Sequence, residues 1–376
     1  GLALTPATLR IPQQEIAAAR AQCAAETLDA LAQAAERIAA FHQRQLPEDL
    51  NYRDDTGAEL GHRWTAVGAA GLYVPGGKAS YPSSVLMNAI PARVAGVERI
   101  VMVVPAPGGE LNPLVLAAAD IAGVTEIYRI GGAQAVAALA YGTETIRPVD
   151  KITGPGNAFV AEAKRQVFGV AGIDMIAGPS EILVVADARN QPDWIAADLL
   201  SQAEHDQSAQ SVLITDDAAF ADAVAEAVEE QLKTLPRAGI ARASWTAHGA
   251  IIVVNDLADA VPLVDAIAPE HLELAIDDPD SLADRISNAG AMFLGRYTPE
   301  AMGDYVAGPN HVLPTSRSAR FSSGLSVLDF MKRTSRVRLD PSSIAKIGPA
   351  AITLAEAEGL DAHARSVIVR LKNGKE

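Results

Sequence analysis

One stretch of the chain decides the fold: residues 99–130 read RIVMVVPAPGGELNPLVLAAADIAGVTEIYRI. Two short β-rich runs, 99–105 and 126–130, enclose a helical run over 112–122. A strand, a helix of crossover length and a second strand form the unit that joins parallel neighbours in a sheet. This stretch therefore predicts a parallel sheet covered by helices.

The same alternation continues along the chain. Further β-rich runs are predicted at 70–74, 182–186, 211–215, 250–254 and 291–294, and further helical runs at 84–95, 133–141, 157–168, 192–204, 217–234 and 256–267. Two parallel sheets suit a chain of 376 residues better than one. The ends differ, since 11–45 predicts one or two long helices and 342–372 is purely helical. The prediction is an α/β protein with a helical C-terminal tail.

The composition narrows the expected partners. The 46 acidic residues against 31 Lys and Arg give a net charge of −15, which repels phosphate backbones and anionic lipids. We therefore expect neither a nucleic-acid nor a membrane partner. The sequence shows no apolar run near the ~20 residues of a membrane span and no signal-like opening, so we expect a cytoplasmic location. Cys23 is the single cysteine, so the chain can form neither an internal disulfide nor a thiolate zinc site. Any metal must be held by imidazole, carboxylate or amide groups.

Glycine clusters follow several predicted strands, at 75–77, 131–132, 154–157 and 177–180. Helix N-termini at such turns present free N–H groups, and open α/β sheets bind ligands there. The G-x-G-x-x-G fingerprint is incomplete, because Phe159 stands where the third glycine belongs. Each cluster alone favours a tight turn. Together the four clusters predict a cleft for a small anionic or nucleotide ligand.

Two short segments carry candidate chemistry. Gln202 and His205 are three residues apart at the end of a predicted helix, where they could share one face and one metal. The adjacent Glu270 and His271 could divide base work between a carboxylate and an imidazole. The simpler interpretation of each histidine is a hydrogen-bonded surface or core residue.

A third segment, 303–311, is rich in Gly, Pro, Asp, Asn and His and suits a preorganised loop, with a capped surface turn as the alternative. We expect His42, His62 and His248 to be ordinary surface or core residues. The basic residues within 316–337 are expected to form a solvated face.

Taken together, these segments resemble the histidinol dehydrogenase family of zinc- and NAD-dependent enzymes. The resemblance rests on segments in the family's order at 71–77, 131–134, 154–157, 177–181, 201–205, 269–272, 303–304, 308–311 and 358–363. Any one of these motifs is weak, but the ordered set is specific. Family members carry a further helical segment before the region that matches Gly1, so we expect such a segment to be missing from this chain.

The resemblance implies a fold and an assembly. It implies two incomplete Rossmann-like domains, with one inserted in the other. The expected boundaries are 1–72 with 181–325 for the first domain, 73–180 for the inserted domain, and 326–376 for a helical tail. It also implies a homodimer in which each tail reaches into the partner's active site. NAD in this family is not held in the usual dinucleotide mode, which accounts for the incomplete glycine fingerprint.

The resemblance also implies an activity, the oxidation of histidinol to histidine through bound histidinaldehyde with two NAD. Zinc, one ion per subunit, would be held by Gln202, His205, Asp304 and His363. His271 would accept the hydroxyl proton and Glu270 would activate the water that attacks the aldehyde. Substrate contacts are implied for Ser180, Gln202, His205, His271, Asp304, Glu358 and His363. NAD contacts are implied for Tyr73, Gln134 and Asn157, while His311 lies near the site without an assigned role.

Other functions remain open from the residues alone. A related dehydrogenase of another small polyol would use the same fold, although Ser180, Glu358 and His363 favour an imidazole substrate. A zinc hydrolase could use the same ligands with Glu270 as base. A metal-binding module would use them without catalysis. Only a dehydrogenase forms NADH when substrate and NAD⁺ are supplied.

Overall fold

The computed structural model describes residues 5–75 and 81–373, so Gly76 and Gly77 of the first glycine cluster lie outside the described residues. The chain divides into two compact units, Gly1–Gln45 with Val67–Phe330 and Leu46–Ala66 with Met331–Glu376. Both parallel sheets belong to the first unit, and an antiparallel sheet belongs to the second.

The described strands and α-helices follow one another in the predicted alternation. The strands are β1 (Leu50–Arg53), β2 (Glu59–Ala66), β3 (Ala69–Tyr73), β4 (Arg99–Val103), β5 (Glu126–Tyr128), β6 (Lys151–Thr153), β7 (Gly172–Ile173), β8 (Glu181–Ala186), β9 (Gln210–Thr215), β10 (Ala250–Val253), β11 (His271–Ala275), β12 (Ala291–Leu294) and β13 (Met331–Arg338). The helices are α1 (Pro6–Leu9), α2 (Gln13–Arg20), α3 (Ala25–Gln43), α4 (Pro82–Val94), α5 (Pro113–Ala122), α6 (Gly132–Tyr141), α7 (Ala158–Val167), α8 (Pro192–Ala203), α9 (Ala218–Gln231), α10 (Ala238–His248), α11 (Ala260–Ile267), α12 (Pro279–Ala283), α13 (Glu300–Tyr305), α14 (Pro341–Ala357) and α15 (Asp361–Asn373).

The first sheet has the order β5-β4-β3-β6-β7, and its strand pairs are all parallel. Its strands are short and mostly buried apart from the half-buried β7, and β3 is buried along its whole length. The helices α6 and α7 bury apolar side chains such as Leu139 and Val160 in the core cluster of this sheet. The N-terminal helices α2 and α3 pack on α5 and α4. The predicted parallel sheet around 99–130 is therefore confirmed.

The second sheet has the order β10-β9-β8-β11-β12, and it is also parallel throughout. Its central strand β8 shows why both faces need helices. Ile182 and Val184 point into one apolar cluster, and Leu183 and Val185 point into another. Successive side chains of a strand point to opposite faces, so a continuous apolar run requires cover on both sides. The α/β class with two parallel sheets is confirmed.

The second unit combines the antiparallel sheet β1-β2-β13 with the helical hairpin of α14 and α15. The two helices pack closely, since a Cβ added to Gly348 would lie 3.0 Å from Val367. A helical C-terminal end was predicted and is confirmed. The strands β2 and β13 were not predicted, and the basic residues expected to solvate a face lie partly along the exposed strand β13.

The predicted domain boundaries at 72, 180 and 325 stay a prediction. The first parallel sheet draws its strands from 69–173 and the second from 181–294. Within each sheet the chain adds strands on one side of a central strand and then on the other, which creates a switch point between β3 and β6 and another between β8 and β11. Among the described residues, no helix has the length and apolar content needed to cross a membrane.

Candidate active site

Glu270 lies in the turn between α11 and β11, and His271 is the first residue of β11. Ala268 ends the helix in the left-handed region, with φ +50°, and Pro269 follows it. This turn directs both side chains inward, where Glu270 is 5% and His271 4% exposed. His271 pairs in register with Ile182 of β8. Glu270 and His271 therefore lie at the amino end of the strands β8 and β11, where the order of the second sheet switches.

The main chain of Glu181, the first residue of β8, holds both side chains. Its N–H donates to Glu270 Oε2 at 3.0 Å, and its carbonyl oxygen accepts from His271 Nδ1 at 3.0 Å. Because a carbonyl can only accept, His271 carries its proton on Nδ1. Its Nε2 is buried and has no hydrogen-bond partner among the residues that the structure describes. His271 therefore presents an unpaired lone pair, which is what a general base requires.

Glu300, on the first turn of α13, is a third buried group that the sequence did not single out. Its Oε1 lies 3.3 Å from His271 Nδ1, and the residue is 2% exposed. Asp304 follows one turn later on the same helix, with Oδ1 4.0 Å from His271 Nε2. The i, i+4 spacing of Glu300 and Asp304 places both on one helix face, and that spacing was the available signal. One ligand atom from each of His271, Glu300 and Asp304 lies within 4.8 Å of the others, so these groups could hold a metal ion.

Burial dominates the electrostatics of this cluster. It lowers the pKa of His271 to about 3, assisted by the nearby charges of His311 and His205. It raises the pKa of Glu270 and that of Glu300 well above the ordinary range, and neighbouring carboxylates act in the same direction on both. It also raises the pKa of Asp304 to about 6. Desolvation disfavours every charged form, so the cluster favours neutral imidazoles and protonated acids until a cation compensates them.

Gln202 and His205 lie at the end of α8, on which α13 packs. Gln202 is fully buried, and neither atom of its amide group has a hydrogen-bond partner within the described part of the chain. A buried polar group without a partner is costly, and a ligand would relieve it. His205 follows the helix and its side chain is exposed. Amide, imidazole and carboxylate groups form a donor set that zinc accepts, so the residues present fit a zinc ion.

The remaining predicted substrate residues divide between the two units. Ser180 precedes β8 and stands beside Glu270, whose pKa it lowers slightly. Glu358, which ends α14, and His363, in the first turn of α15, belong to the second unit, and both side chains are exposed. The first unit thus brings Ser180 beside Glu270 and places His205 close enough to lower the pKa of His271 and His311, whereas Glu358 and His363 lie in the other unit.

His311 belongs to the same cluster although no role was predicted for it. Its Nδ1 donates to the main-chain carbonyl of Asp304 at 3.1 Å. Burial lowers the pKa of His311 to about 4, so this imidazole is neutral. By tying down the last turn of α13, His311 helps to fix the position of Asp304.

The residues expected to contact NAD lie at the carboxyl edge of the first sheet. Tyr73 ends β3, and its hydroxyl accepts from the Gly132 N–H at 3.0 Å. Asn157 follows β6, and its Oδ1 caps α7 by accepting from the N–H groups of Phe159 and Val160. Gln134, in the first turn of α6, is exposed. These positions flank the switch point between β3 and β6, where open α/β sheets bind nucleotides.

The two edges are joined by a short connection. The chain leaves the first sheet at the carboxyl end of β7 and enters the second sheet at the amino end of β8, with only 174–180 between them. The Gly178 N–H in this connection donates to Thr315 Oγ1 at 2.6 Å. The carboxyl edge of the second sheet is occupied instead by Arg296, which donates to the Ala275 carbonyl and to Asp187 and Asp277. The carboxyl edge of the first sheet and the amino edge of the second are therefore seven residues apart in sequence, at β7 and β8.

Comparison with known proteins gives a consistent result. Residues 2–371 match the family model described as histidinol dehydrogenase. A histidinol dehydrogenase of Rhodospirillum rubrum is 68% identical over 369 residues, which cover 98% of this chain and 85% of the relative. One from Rhizobium meliloti is 67% identical over 376 residues, covering 100% and 87%. The crystal structure of histidinol dehydrogenase from Elizabethkingia anophelis superposes with a TM-score of 0.95 at 39% identity, covering 98% of this chain and 85% of that one.

Proposed function

Because the chain belongs to the histidinol dehydrogenase family of oxidoreductases, we propose that it oxidises histidinol to histidine in two successive steps with two NAD⁺. The observation that carries this proposal is the buried Nε2 of His271, which has no hydrogen-bond partner among the described residues and lies 4.0 Å from Asp304 Oδ1. Glu270 Oε2 lies 3.8 Å from Nδ1 of the same ring. An alcohol-to-acid oxidation needs one base to remove the hydroxyl proton and another base, here a carboxylate, to activate the water that is added later.

The first step makes use of His271. Its Nε2 accepts the hydroxyl proton of the alcohol, while Nδ1 stays bonded to the Glu181 carbonyl with Glu300 at 3.3 Å. The imidazolium formed in this way keeps the bond from Nδ1 to the Glu181 carbonyl, which favours the charged ring against the burial that lowers the pKa of His271. NAD⁺, when bound, supplies the hydride acceptor for each oxidation.

The second step makes use of Glu270. Burial raises its pKa well above the ordinary range, which makes the ionised carboxylate a stronger base than an exposed one. It takes a proton from the water that adds to the bound aldehyde, and the hydrate then loses the second hydride to give the acid. Oxidation of alcohol to acid therefore consumes two NAD⁺ and one water for each histidinol.

Zinc is the metal we propose, held by Gln202, His205 and Asp304 of one subunit together with His363. Zinc, when bound, fixes the nitrogen atoms of the substrate and supplies the positive charge that the buried carboxylates lack. Ser180 and Glu358 hydrogen-bond the substrate. A carboxylate such as Glu358 suits an imidazole N–H and discriminates against a substrate without one.

The protein is proposed to act as a homodimer in the cytoplasm, with Glu358 and His363 completing the partner's site. Two observations support the shared site. Glu358 and His363 are exposed in the second unit, and so are large apolar side chains of that unit, such as Val337 and Leu354 at 67% and 64%. Exposed apolar surface of this kind is typical of an interface between subunits.

The decisive test of the reaction is its stoichiometry. Histidinol and NAD⁺ are added to zinc-loaded protein, and NADH is followed by its absorbance while histidine is quantified. Two NADH per histidinol are expected. One NADH with accumulating aldehyde would contradict the two-step reaction, and hydrolysis without NADH would favour a zinc hydrolase.

The shared site is tested by complementation. His271→Asn and His363→Ala chains, each inactive alone, are mixed under conditions that exchange subunits. Random mixing makes half of the dimers mixed, each with one intact site of two, so about a quarter of the wild-type activity should return. Exchanged mixtures without activity would show that the tail completes the site of its own chain.

A further inference from the structure

A buried ion pair in the first unit has no part in the chemistry described so far. Lys164, on α7, contacts Asp174, which follows β7, and their side chains are only 3% and 1% exposed. Two charges removed from water contribute little net stability, because desolvation consumes most of their attraction. The role of this pair is therefore better judged from its contacts than from its contribution to the stability of the fold.

Both partners hold the main chain of one residue, Gly154. The Gly154 N–H donates to Asp174 Oδ2 at 2.8 Å, and its carbonyl oxygen accepts from Lys164 Nζ at 3.0 Å. Gly154 has φ +107°, and a Cβ there would lie 2.1 Å from the carbonyl oxygen of Tyr73. The ion pair thus holds Gly154 in a conformation and at a contact with the end of β3 that only glycine tolerates.

The same pair connects two segments of functional interest. Gly154 begins the loop 154–157, which ends at Asn157, the cap of α7. Asp174 begins the connection 174–180, which ends at Ser180, next to Glu181 and the groups that Glu181 holds. Lys164 lies on α7, the helix that begins directly after the loop 154–157.

We propose that Lys164 and Asp174 are positioning residues for the dinucleotide cofactor. Their ion pair fixes the loop 154–157 in its binding conformation and ties it to the connection 174–180, which sets the separation between the cofactor and the catalytic groups. This inference rests on the proposed function, because it takes NAD as the ligand of that loop.

A purely structural role makes a different prediction, and the two can be separated. Replacing both members of a buried ion pair with apolar side chains is often neutral for stability, whereas removing one member leaves an unpaired buried charge. The double variant Lys164→Met/Asp174→Leu therefore removes the grip on Gly154 while leaving no charge unpaired. Arg165→Met is the matched control, because Arg165 is the next residue of α7 and its exposed side chain forms a surface ion pair with Glu162.

The experiment uses full-length, zinc-loaded protein. For the double variant we expect the KM for NAD⁺ to rise by about tenfold to a hundredfold, the effect of a misplaced binding loop. The KM for histidinol should stay close to that of wild type. The melting temperature should fall, because the buried Gly154 N–H and carbonyl lose their partners, and Arg165→Met should change none of these. A folded double variant that keeps its KM for NAD⁺ within about twofold would overturn the proposal.

A second measurement needs no variant and no activity. Hydrogen exchange of the cofactor-free wild type should show strong protection of the Gly154 amide, because that N–H is bonded to a buried carboxylate. Exchange as fast as that of an exposed turn would overturn the inference even if the double variant failed to fold. Absence of NADH formation by wild type would instead contradict the proposed function, and it would leave the exchange result unaffected.

Discussion

The two parallel sheets are built alike and used at opposite edges. Both start from a central strand, β3 or β8, and extend first to one side and then to the other. The first sheet offers its carboxyl edge, where glycine turns and the uncharged Tyr73, Gln134 and Asn157 stand. The second offers its amino edge, where carboxylates and imidazoles are buried, and its carboxyl edge is occupied by Arg296.

The difference shows that sheet topology alone does not locate a reactive site. Under the proposed function, the rule that ligands bind at carboxyl ends holds for the first sheet, where helix N-termini offer free N–H groups. It does not hold for the second sheet, since Glu270 and His271 lie at the amino end of its strands. The proposal thus assigns cofactor binding and proton transfer to different sheets, and each can be perturbed separately.

The largest expected effects separate the two catalytic side chains. His271→Asn should slow oxidation of the alcohol by about 10²–10⁴ and spare oxidation of supplied histidinaldehyde, because only the first step needs a base at Nε2. Glu270→Gln should do the reverse. Each half-reaction is measured by single-turnover NADH formation. Equal losses in both half-reactions for both variants would contradict the division of roles.

Glu300→Gln should have the next largest effect, about 10–100-fold, on the rate or on metal affinity, as expected for a group that supports a base or a ligand. The substitution keeps the shape but replaces the titratable carboxyl group 3.3 Å from His271 Nδ1 with an amide. Steady-state rates and metal content after dialysis report the two effects. Glu356→Gln, at an exposed position of α14, is the control and should change neither. A Glu300 variant as active and as metal-rich as wild type would show that the buried acid is not part of the site.

Asp198, on α8, is a partly buried acid whose ionisation should destabilise the folded protein. Burial raises its pKa to about 6, and Asp198 is hydrogen-bonded to Glu273, whose pKa is also raised. Since the folded state holds this proton more tightly than the unfolded chain, stability is lost as the pH rises from about 4 to 6. Asp198→Asn should abolish that loss and gain on the order of 1–3 kcal/mol above pH 6.

Thermal melting between pH 4 and 8 measures the gain. Asp29→Asn, at an exposed position of α3, should follow the wild-type curve. If the Asp198 variant also follows the wild-type curve, the strain attributed to this acid is absent from the folded protein.

The smallest effect belongs to the cofactor edge. Tyr73→Phe removes the hydroxyl that accepts from the Gly132 N–H, worth about 1 kcal/mol, so the KM for NAD⁺ should rise about fivefold with little change in the KM for histidinol. Tyr141→Phe, at an exposed position of α6, serves as the control. An effect on the histidinol KM alone would show that the two edges are not separate.

The sequence predicted the parts that follow from periodicity. Every predicted parallel strand forms to within two residues of its expected ends, from β3 to β12, since apolar runs between turn residues are a local signal. Three parallel strands were not predicted: β6 and β7, which are only three and two residues long, and β11, where Glu273 interrupts the apolar run and is buried by tertiary contacts. The sequence also missed β13, whose charged residues are typical of a solvated segment.

The site was predictable only in part, and for a physical reason. Residue type and adjacency indicated Glu270 and His271, and the helical spacing indicated Gln202. The role of Glu300 depends on α13 folding back against His271, and the tautomer of His271 depends on a carbonyl 90 residues away in sequence. Distances of this kind are set by the fold and leave no local pattern.

The main chain of Glu181 holds both Glu270 and His271, and this has a consequence for how the protein can be altered. The two hydrogen bonds use the peptide groups of Glu181, so the relative placement of acid and base is encoded in the alignment of β8 with β11 and not in the side chain at 181. Replacing that side chain leaves both main-chain hydrogen bonds in place, but it changes the charge that helps to raise the pKa of Glu270 and removes the acceptor of the Ser316 N–H. Proline, or an insertion that shifts either strand by one residue, would separate base from acid in a single step. For the protein engineer, the strand alignment is thus the part to preserve, and the surrounding side chains are the part to vary.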